Sequence, residues 1–533
     1  MQRHAATVEE VGGIPDRRAG TRAWAGAPLL ITGIMLLALA VRLTNAGREP
    51  LWLDEAYTLW FASLPLADLW GRTPAFEPHP PMYYTLLHGW IALFGTSEAA
   101  LRSMSAVANV AAIPFLYLAG RQLGGVWAGI AAALVFALMP FQLEWSQNAR
   151  AYAFGALFIA ALCWALLWLS ARPRLAAVPL RRVHAEPEGR VALAAWATVA
   201  VATGSFLWLH NTYPITVFVL QLLALAWWLS LGGRRPGFAV NWITANAVAF
   251  LIWAWWVPHL LAMAARLSAD GYVIPPPTLA NTLSHLSLYF AINDFWRFRS
   301  PWAVADLVYF ATAAAGALGL LIARRWAPAG LLIGLLALPL SLYLLVSLLA
   351  VPAYQPKLMA WTGAPYALLV GYGLSLVPRP GPRAALTALV AAGLFAGVRL
   401  DYRAPPREGW DRAAERLAQD WRPGEPVLGI SMSAPLALDY YLRRLGADIP
   451  LRGTPADWPD EWRGYRSARD ADRPAIRAML GDAPRAWLVA RRNSLSSDPD
   501  MAVRQEMEAY GRKVGDWDFS GVLVTLYERR AGD

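Results

Sequence analysis

The sequence predicts a polytopic α-helical membrane protein of about eleven spans, followed by a small α/β domain outside the membrane. Three observations carry this fold class. First, the 533 residues are 57% hydrophobic and only 16% charged, with a mean hydropathy of +0.35 and 27 Trp, unlike an ordinary soluble domain. Second, apolar runs close to the ~20 residues a helix needs to cross a bilayer recur from residue 28 to residue 399. Third, arginines cluster between those runs, and charged residues become frequent only after residue 400.

The spans are 28–44, 99–119, 126–144, 151–171, 191–210, 213–231, 239–260, 301–323, 328–350, 361–377 and 383–399. A further apolar stretch, Met82–Phe94, would be about 20 Å long at ~1.5 Å per residue, short of a ~30 Å hydrocarbon core. Loops holding Arg121, Arg172/Arg174/Arg181/Arg182/Arg190, Arg234/Arg235, Arg324/Arg325 and Arg379/Arg383 are expected to face the cytoplasm together with the N-terminus. An even number of crossings must separate any two of them. That parity holds only if Met82–Phe94 lies at the interface or re-enters. The result is a cytoplasmic tail over 1–27, a membrane domain over 28–399 with outer juxtamembrane helices at 50–95, and an extracytoplasmic domain over 400–533. Leu29–Val41 follows Arg17, Arg18 and Arg22 without a clear cleavage site, so it reads as a retained first helix.

The net charge of +10 is uneven: residues 400–533 hold 21 Lys/Arg and 22 Asp/Glu, leaving about +11 in the membrane half. Arginines placed between hydrophobic runs mark cytoplasmic loops rather than a nucleic-acid surface. The single cysteine, Cys163, permits no disulfide within the chain. In the tail, "GWDRAAERLAQDW" (409–421) and "APLALDYYLRR" (434–444) have helical spacing, whereas "EPVLGI" (425–430), "RAWLVA" (485–490) and "GVLVTLYE" (521–528) read as strands.

Several outer-face residues could do chemistry. Asp54 and Glu55 sit in "LWLDEAYTLW", flanked by tryptophans suited to headgroup depth. They read either as a general base with a neighbour, or as acids favouring a helix's first turn. "FEPHPPMYY" puts Glu77 and His79 on a proline-fixed turn, with Tyr83 just beyond. "LEWSQNARAYA" carries Arg150, a planar fork for phosphate or a snorkelling arginine, with Glu144 as an alternative partner. Lys357 in "YQPKLMAW" is either a phosphate contact or a span anchor, and His210 and Asn211 lie at the same level. Together, acids and cations on one side of a greasy bundle fit a reaction on a lipid phosphate: an acid deprotonates an acceptor hydroxyl and cations offset the leaving phosphate.

"LWLDEAYT", "HPPMYYTLLHGWIALFG", "SEAALRSMSAV" and "WSQNARAYA", in this order, resemble bacterial glycosyltransferase family 39-like proteins of the GT-C superfamily. That group includes the protein O-mannosyltransferases and the lipid A aminoarabinose transferase. The likeness covers residues 28–171 and continues more weakly through "GWDRAAERL" and "LDYYL". It implies an inner-membrane enzyme transferring a sugar from a polyprenyl-phosphate donor to a protein, lipid or polysaccharide acceptor on the outer face. By the resemblance, Asp54 matches the base, with Glu55 beside it. His79, Arg150 and Lys357 match basic positions at the donor phosphate. Tyr152 stands where relatives place a second acid that helps hold a divalent metal. Such a metal would fall to Asp54 and Glu55, with Glu77 or Glu144 as further oxygen ligands. Glu77, Tyr83, Tyr152 and His210 are the remaining candidates for substrate contact. The alternative from another class is a transporter or flippase of lipid-linked sugars. Transporters hold charges near the midplane on broken helices, whereas the charges here gather at one edge.

Overall fold

The computed structural model describes residues 26–530 except 78, 231–234, 271–276, 279–281, 283–302, 351–353, 404–405 and 458–465. Most of the expected N-terminal tail, Arg234 and most of the outer loop 261–300 lie outside the described residues. The molecule is mostly helical, with a small C-terminal sheet. Among the described residues, seven helical stretches are long and apolar enough to cross a membrane, and two shorter apolar helices, Ala27–Leu43 and Pro214–Ser230, accompany them.

Each predicted span has helix within it, and the differences are informative. The longest run, Glu98–Leu138, is not one rod. It comprises α5 (Glu98–Val110) and α6 (Ala112–Leu138), and α6 breaks at Gly124 and Gly125, the latter at φ +79°. A Cβ on Gly120 would lie 2.7 Å from the Cα of Gly129, nine residues on, a proximity only a chain reversal allows. Glycine serves both the left-handed turn and the close approach of the two legs. Arg325 seals the turn by donating to the carbonyls of Leu123 (2.5 Å) and Gln122 (3.1 Å), which a helix C-terminus leaves unpaired. Helix Gly363–Ser375 is buried almost throughout, which explains its continuous apolar sequence.

The juxtamembrane segment is three short helices: α2 (Leu53–Ala62), α3 (Leu66–Gly71) and α4 (Met82–Phe94). The prolines at 80 and 81 set the start of α4, and Gly95 at φ +80° ends it. Its inner face buries Tyr83, Tyr84 and Leu87 against Phe61 of α2 and Leu101 and Met104 of α5. After the short α7 (Pro140–Ser146), the two sides of the membrane domain are separated by α8 (Tyr152–Ser170), about 28 Å long at ~1.5 Å per residue and flanked by Arg150 and Arg172.

The C-terminal sheet has five strands, β1 (Val427–Gly429), β2 (Leu451–Gly453), β3 (Arg485–Arg491), β4 (Gly511–Phe519) and β5 (Val522–Arg529), in the order β2-β1-β3-β5-β4. The first two pairings, of β1 with β2 and with β3, are parallel; those of β5 are antiparallel. β2 and β4 were not foreseen: β2 is only three residues long, and β4 is an edge strand that mixes charged residues with two glycines and three apolar residues. Strand alternation sends Leu488 and Ala490 to one core and Trp487 and Val489 to another. That second core also contains Leu53 and Ala56 of α2, so the sheet domain packs directly on the juxtamembrane helix.

Candidate active site

α2 presents its two acids in different directions. Asp54 remains a quarter exposed, and its Oδ2 accepts a hydrogen bond from Lys357 Nζ at 3.0 Å. Glu55 is fully buried and accepts a bidentate pair from Arg102: Nε to Oε1 at 2.9 Å and Nη2 to Oε2 at 2.6 Å. Its Oε1 also accepts the Ala149 amide at 2.8 Å. Arg102, from "SEAALRSMSAV", spends its remaining donors on the carbonyls of Ala46, Glu49 and Pro50. Its Oε2 also faces the Trp52 amide at 3.4 Å, so Glu55 is the buried clamp joining the Asp54 helix to α5, with both oxygens engaged inside the protein.

Burial would raise the Asp54 carboxyl, but the Lys357 ammonium and the Arg150 guanidinium outweigh it and hold the group well below the usual carboxylate range. Lys357 comes from a 3₁₀ turn, Pro356–Thr362, that the buried Gln142 fixes by donating to Ala360 O at 2.6 Å. Its ammonium lies 5.5 Å from the Trp52 ring centre and 5.9 Å from that of Tyr152. Arg150 is buried. It donates to Thr58 Oγ1 (3.1 Å) and, more weakly, to the Asp54 carbonyl (3.4 Å), both on α2.

His79, expected as a cationic or hydrogen-bonding contact to a ligand, is hydrogen-bonded within the protein. Its Nδ1–H donates to Glu77 Oε1 at 2.5 Å, and its Nε2 accepts from Arg150 Nη2 at 3.3 Å. An imidazole that accepts from a guanidinium is neutral, and burial is the main force pushing its pKa down, against the Glu77 carboxylate. Glu77 is buried and also accepts from Tyr84 at 3.0 Å. His210 stacks edge-on against His79 with ring centres 5.0 Å apart and is itself pushed well below its ordinary value by burial. His79, Tyr84 and His210 line a small recess with Tyr83, Arg150 and Tyr152. Tyr83 bonds Ser105 at 3.0 Å. The buried Tyr152 hydroxyl has no hydrogen-bond partner among the described residues. Glu144 pairs instead with Arg407, at 2.8 Å.

The structure therefore brings Asp54, Lys357, Arg150, His79, Glu77, Tyr152 and His210 to one place, and turns Glu55 away. Arg102 and Thr58, which sequence reasoning passed over, turn out to fix Glu55 and Arg150. Arg102 had one signal: it is the one charged residue in the predicted span 99–119.

Fold and site can now be set beside known proteins. Residues 78–184 match the sequence profile of the dolichyl-phosphate-mannose-protein mannosyltransferase family. Among solved structures, the apo ArnT of Cupriavidus metallidurans superposes with a TM-score of 0.58 at 12% identity, covering 94% of this chain and 98% of ArnT. The chain has an ArnT-like fold. The same ArnT bound to undecaprenyl phosphate gives a TM-score of 0.53 at 14% identity, with 95% and 98% covered. The Archaeoglobus fulgidus oligosaccharyltransferase in complex with Zn and sulfate gives 0.54 at 13% identity, with 93% and 72% covered. Among curated proteins no sequence matches significantly. The GT-C likeness spans the membrane helices and the C-terminal sheet domain alike.

Proposed function

We propose that this protein is a membrane glycosyltransferase that moves a sugar from a polyprenyl-phosphate carrier to an acceptor hydroxyl at the outer membrane surface. The observation that carries the reading is the Asp54–Lys357–Arg150 constellation, at the edge of a GT-C fold whose solved relatives bind undecaprenyl phosphate and, in one archaeal case, an acceptor peptide. In the reaction, the acceptor oxygen attacks the anomeric carbon. The bond from that carbon to the phosphate oxygen breaks, the polyprenyl phosphate leaves with the electron pair, and Asp54 takes the acceptor proton.

A carboxylate held ionised by a lysine is a poor base at rest. Donor binding resolves this in the proposed mechanism. The donor phosphate draws Lys357 off Asp54, whose proton affinity then rises as its cation leaves. Arg150, fixed by Thr58 and His79, stays at the phosphate with two donors already oriented. The Tyr152 hydroxyl beneath Lys357 is offered to a ligand oxygen.

The residues do not fit a resident divalent cation. The Asp54 carboxylate is turned to Lys357, both Glu55 oxygens to Arg102, and no group of three His, Cys, Asp or Glu converges among the described residues. No step is routed through a metal, and a chelator is expected to leave turnover unchanged. The arginine clusters support an outer-face reading of the site: Arg172 and Arg325 lie at the helix ends remote from Asp54. This orientation has the N-terminus in the cytoplasm of a bacterial cell and the sheet domain outside.

The test is Asp54→Asn in full-length protein in lipid nanodiscs, supplied with undecaprenyl-phosphate-linked hexoses and pentoses. Loss of transfer with normal insertion is expected; near-normal turnover by the variant would sink the reading. Mass spectrometry of envelope glycans with and without the protein would then name the sugar and acceptor.

A further inference from the structure

We propose that the C-terminal domain is a built-in part of the active site, with Glu408 as the positioning residue that sets the Asp54 helix. A helix leaves its first amides without partners, and they are usually satisfied by a Ser, Thr, Asp or Asn just before it. At α2 that position is Trp52, which has no acceptor. The missing acceptor comes from the far end of the chain: Leu53 N–H donates to Glu408 Oε2 at 2.9 Å. Two residues earlier, Leu51 N–H donates to the hydroxyl of Tyr441 at 2.6 Å. Both partners belong to the sheet domain, and Leu53 and Ala56 are buried in its core.

Glu408 is built for the task. It is buried, its Oε2 also accepts from Trp410 Nε1 at 2.6 Å, and its Oε1 pairs with Arg491 of β3 at 2.7 Å. A buried carboxylate survives only when so paired, and here the pairing holds one oxygen at the first turn of α2. Leu53 is the residue before Asp54. Fixing its amide fixes the direction in which the next side chain leaves the helix, towards Lys357. The membrane domain grips the other side of the same helix through Glu55 and Thr58. α2 therefore lies between two bodies, and the domain outside the membrane supplies half of what aims the base.

This inference rests on the function proposed above, so the test separates the two. Full-length variants in nanodiscs are assayed for release of undecaprenyl phosphate from undecaprenyl-phosphate-linked hexoses and pentoses. Glu408→Ala is expected to lower kcat about 10- to 100-fold, the scale of a small misplacement of a reacting group, with donor KM within about twofold. Because that variant leaves Arg491 unpaired, the decisive comparison is Glu408→Gln against Glu408→Met, each combined with Arg491→Met. The two pairs are uncharged and similar in volume, and differ in the acceptor oxygen. The Gln pair should restore kcat to within about fivefold of wild type and slow exchange of the Leu53 amide; the Met pair should do neither. Equal kcat and equal Leu53 exchange in the two would overturn the positioning role. Asp54→Asn run alongside assigns any failure: its normal turnover would overturn the functional reading, whereas its inactivity beside equal Gln and Met pairs would overturn only the role of Glu408.

Discussion

Asp54 and Glu55 are neighbours on one helix turn, yet they live in different solvents. Glu55 is fully buried, doubly bonded to Arg102 and capped by a backbone amide. Asp54 keeps a quarter of its side chain exposed and holds one lysine. Successive helix residues point about 100° apart, so one turn can serve both an interior and a cleft. The difference teaches that an acid pair in an apolar segment need not be one functional unit. The acid with both oxygens bonded inside the protein holds the helix, and the acid with a single exchangeable cation is left for chemistry.

The sharpest way to break this contrast is to neutralise each acid in turn. Asp54→Asn should reduce transfer by at least about 100-fold, as for loss of a positioned general base. Its melting temperature should stay close to wild type, because a partly exposed ion pair contributes only about 0–1 kcal/mol. Glu55→Gln should do the reverse. Breaking a buried pair strands the Arg102 charge, at a cost of about 3–5 kcal/mol, so the yield of folded protein should fall while any folded fraction keeps the donor KM. Thermal melting and turnover measured on both variants settle the assignment. A stable, inactive Glu55→Gln would reverse the roles given to the two residues.

Much of this was legible in the chain, and the reason is local. Span positions followed from apolar run length, and Met82–Phe94 is the thirteen-residue helix its length implied. Proline punctuation placed the start of that helix. The candidate cations were visible because arginine and lysine are rare at an outer membrane edge. Partner choice was not legible. Nothing near Glu55 in sequence names Arg102, which is 47 positions away, and nothing near His79 names Arg150, 71 away. The sequence left His79 open between a cationic and a hydrogen-bonding contact for that reason: a histidine's charge depends on who faces each ring nitrogen. β4 escaped notice because its polar residues suit an edge, where no second face is buried.

A smaller effect sharpens what Lys357 does. Lys357→Met should lower kcat/KM for donor by about 10- to 100-fold, as loss of one charge-stabilising contact does. It also removes the main attraction that depresses the Asp54 carboxyl, so burial pushes it up against Arg150 and Arg491 alone. The sign follows. Wild-type activity should show no inflection from Asp54 above pH 4, whereas the variant should gain an acid limb at higher pH, where Asp54 becomes protonated and idle. An unmoved pH profile would mean that Lys357 does not control the base.

The smallest expected effect tests the neutral reading of His79. Its folded pKa is lowered, chiefly by burial, from an ordinary value near 6.5. Below that value the unfolded chain takes up the proton first and the folded protein resists it. Stability therefore falls as pH drops from 6.5 towards the lowered folded pKa, and is fully present above 6.5. His79→Gln removes this term while keeping an amide that can accept from Arg150. The drop in melting temperature between pH 7.5 and pH 5.5 should be smaller in the variant than in wild type. His210, also held neutral by burial, provides a matched control, since His210→Gln should flatten the same slope without loosening Arg150. A wild-type slope of the opposite sign, with stability gained on acidification and lost in His79→Gln, would show that the imidazole is charged in the fold and would return it to the role of a phosphate-binding cation.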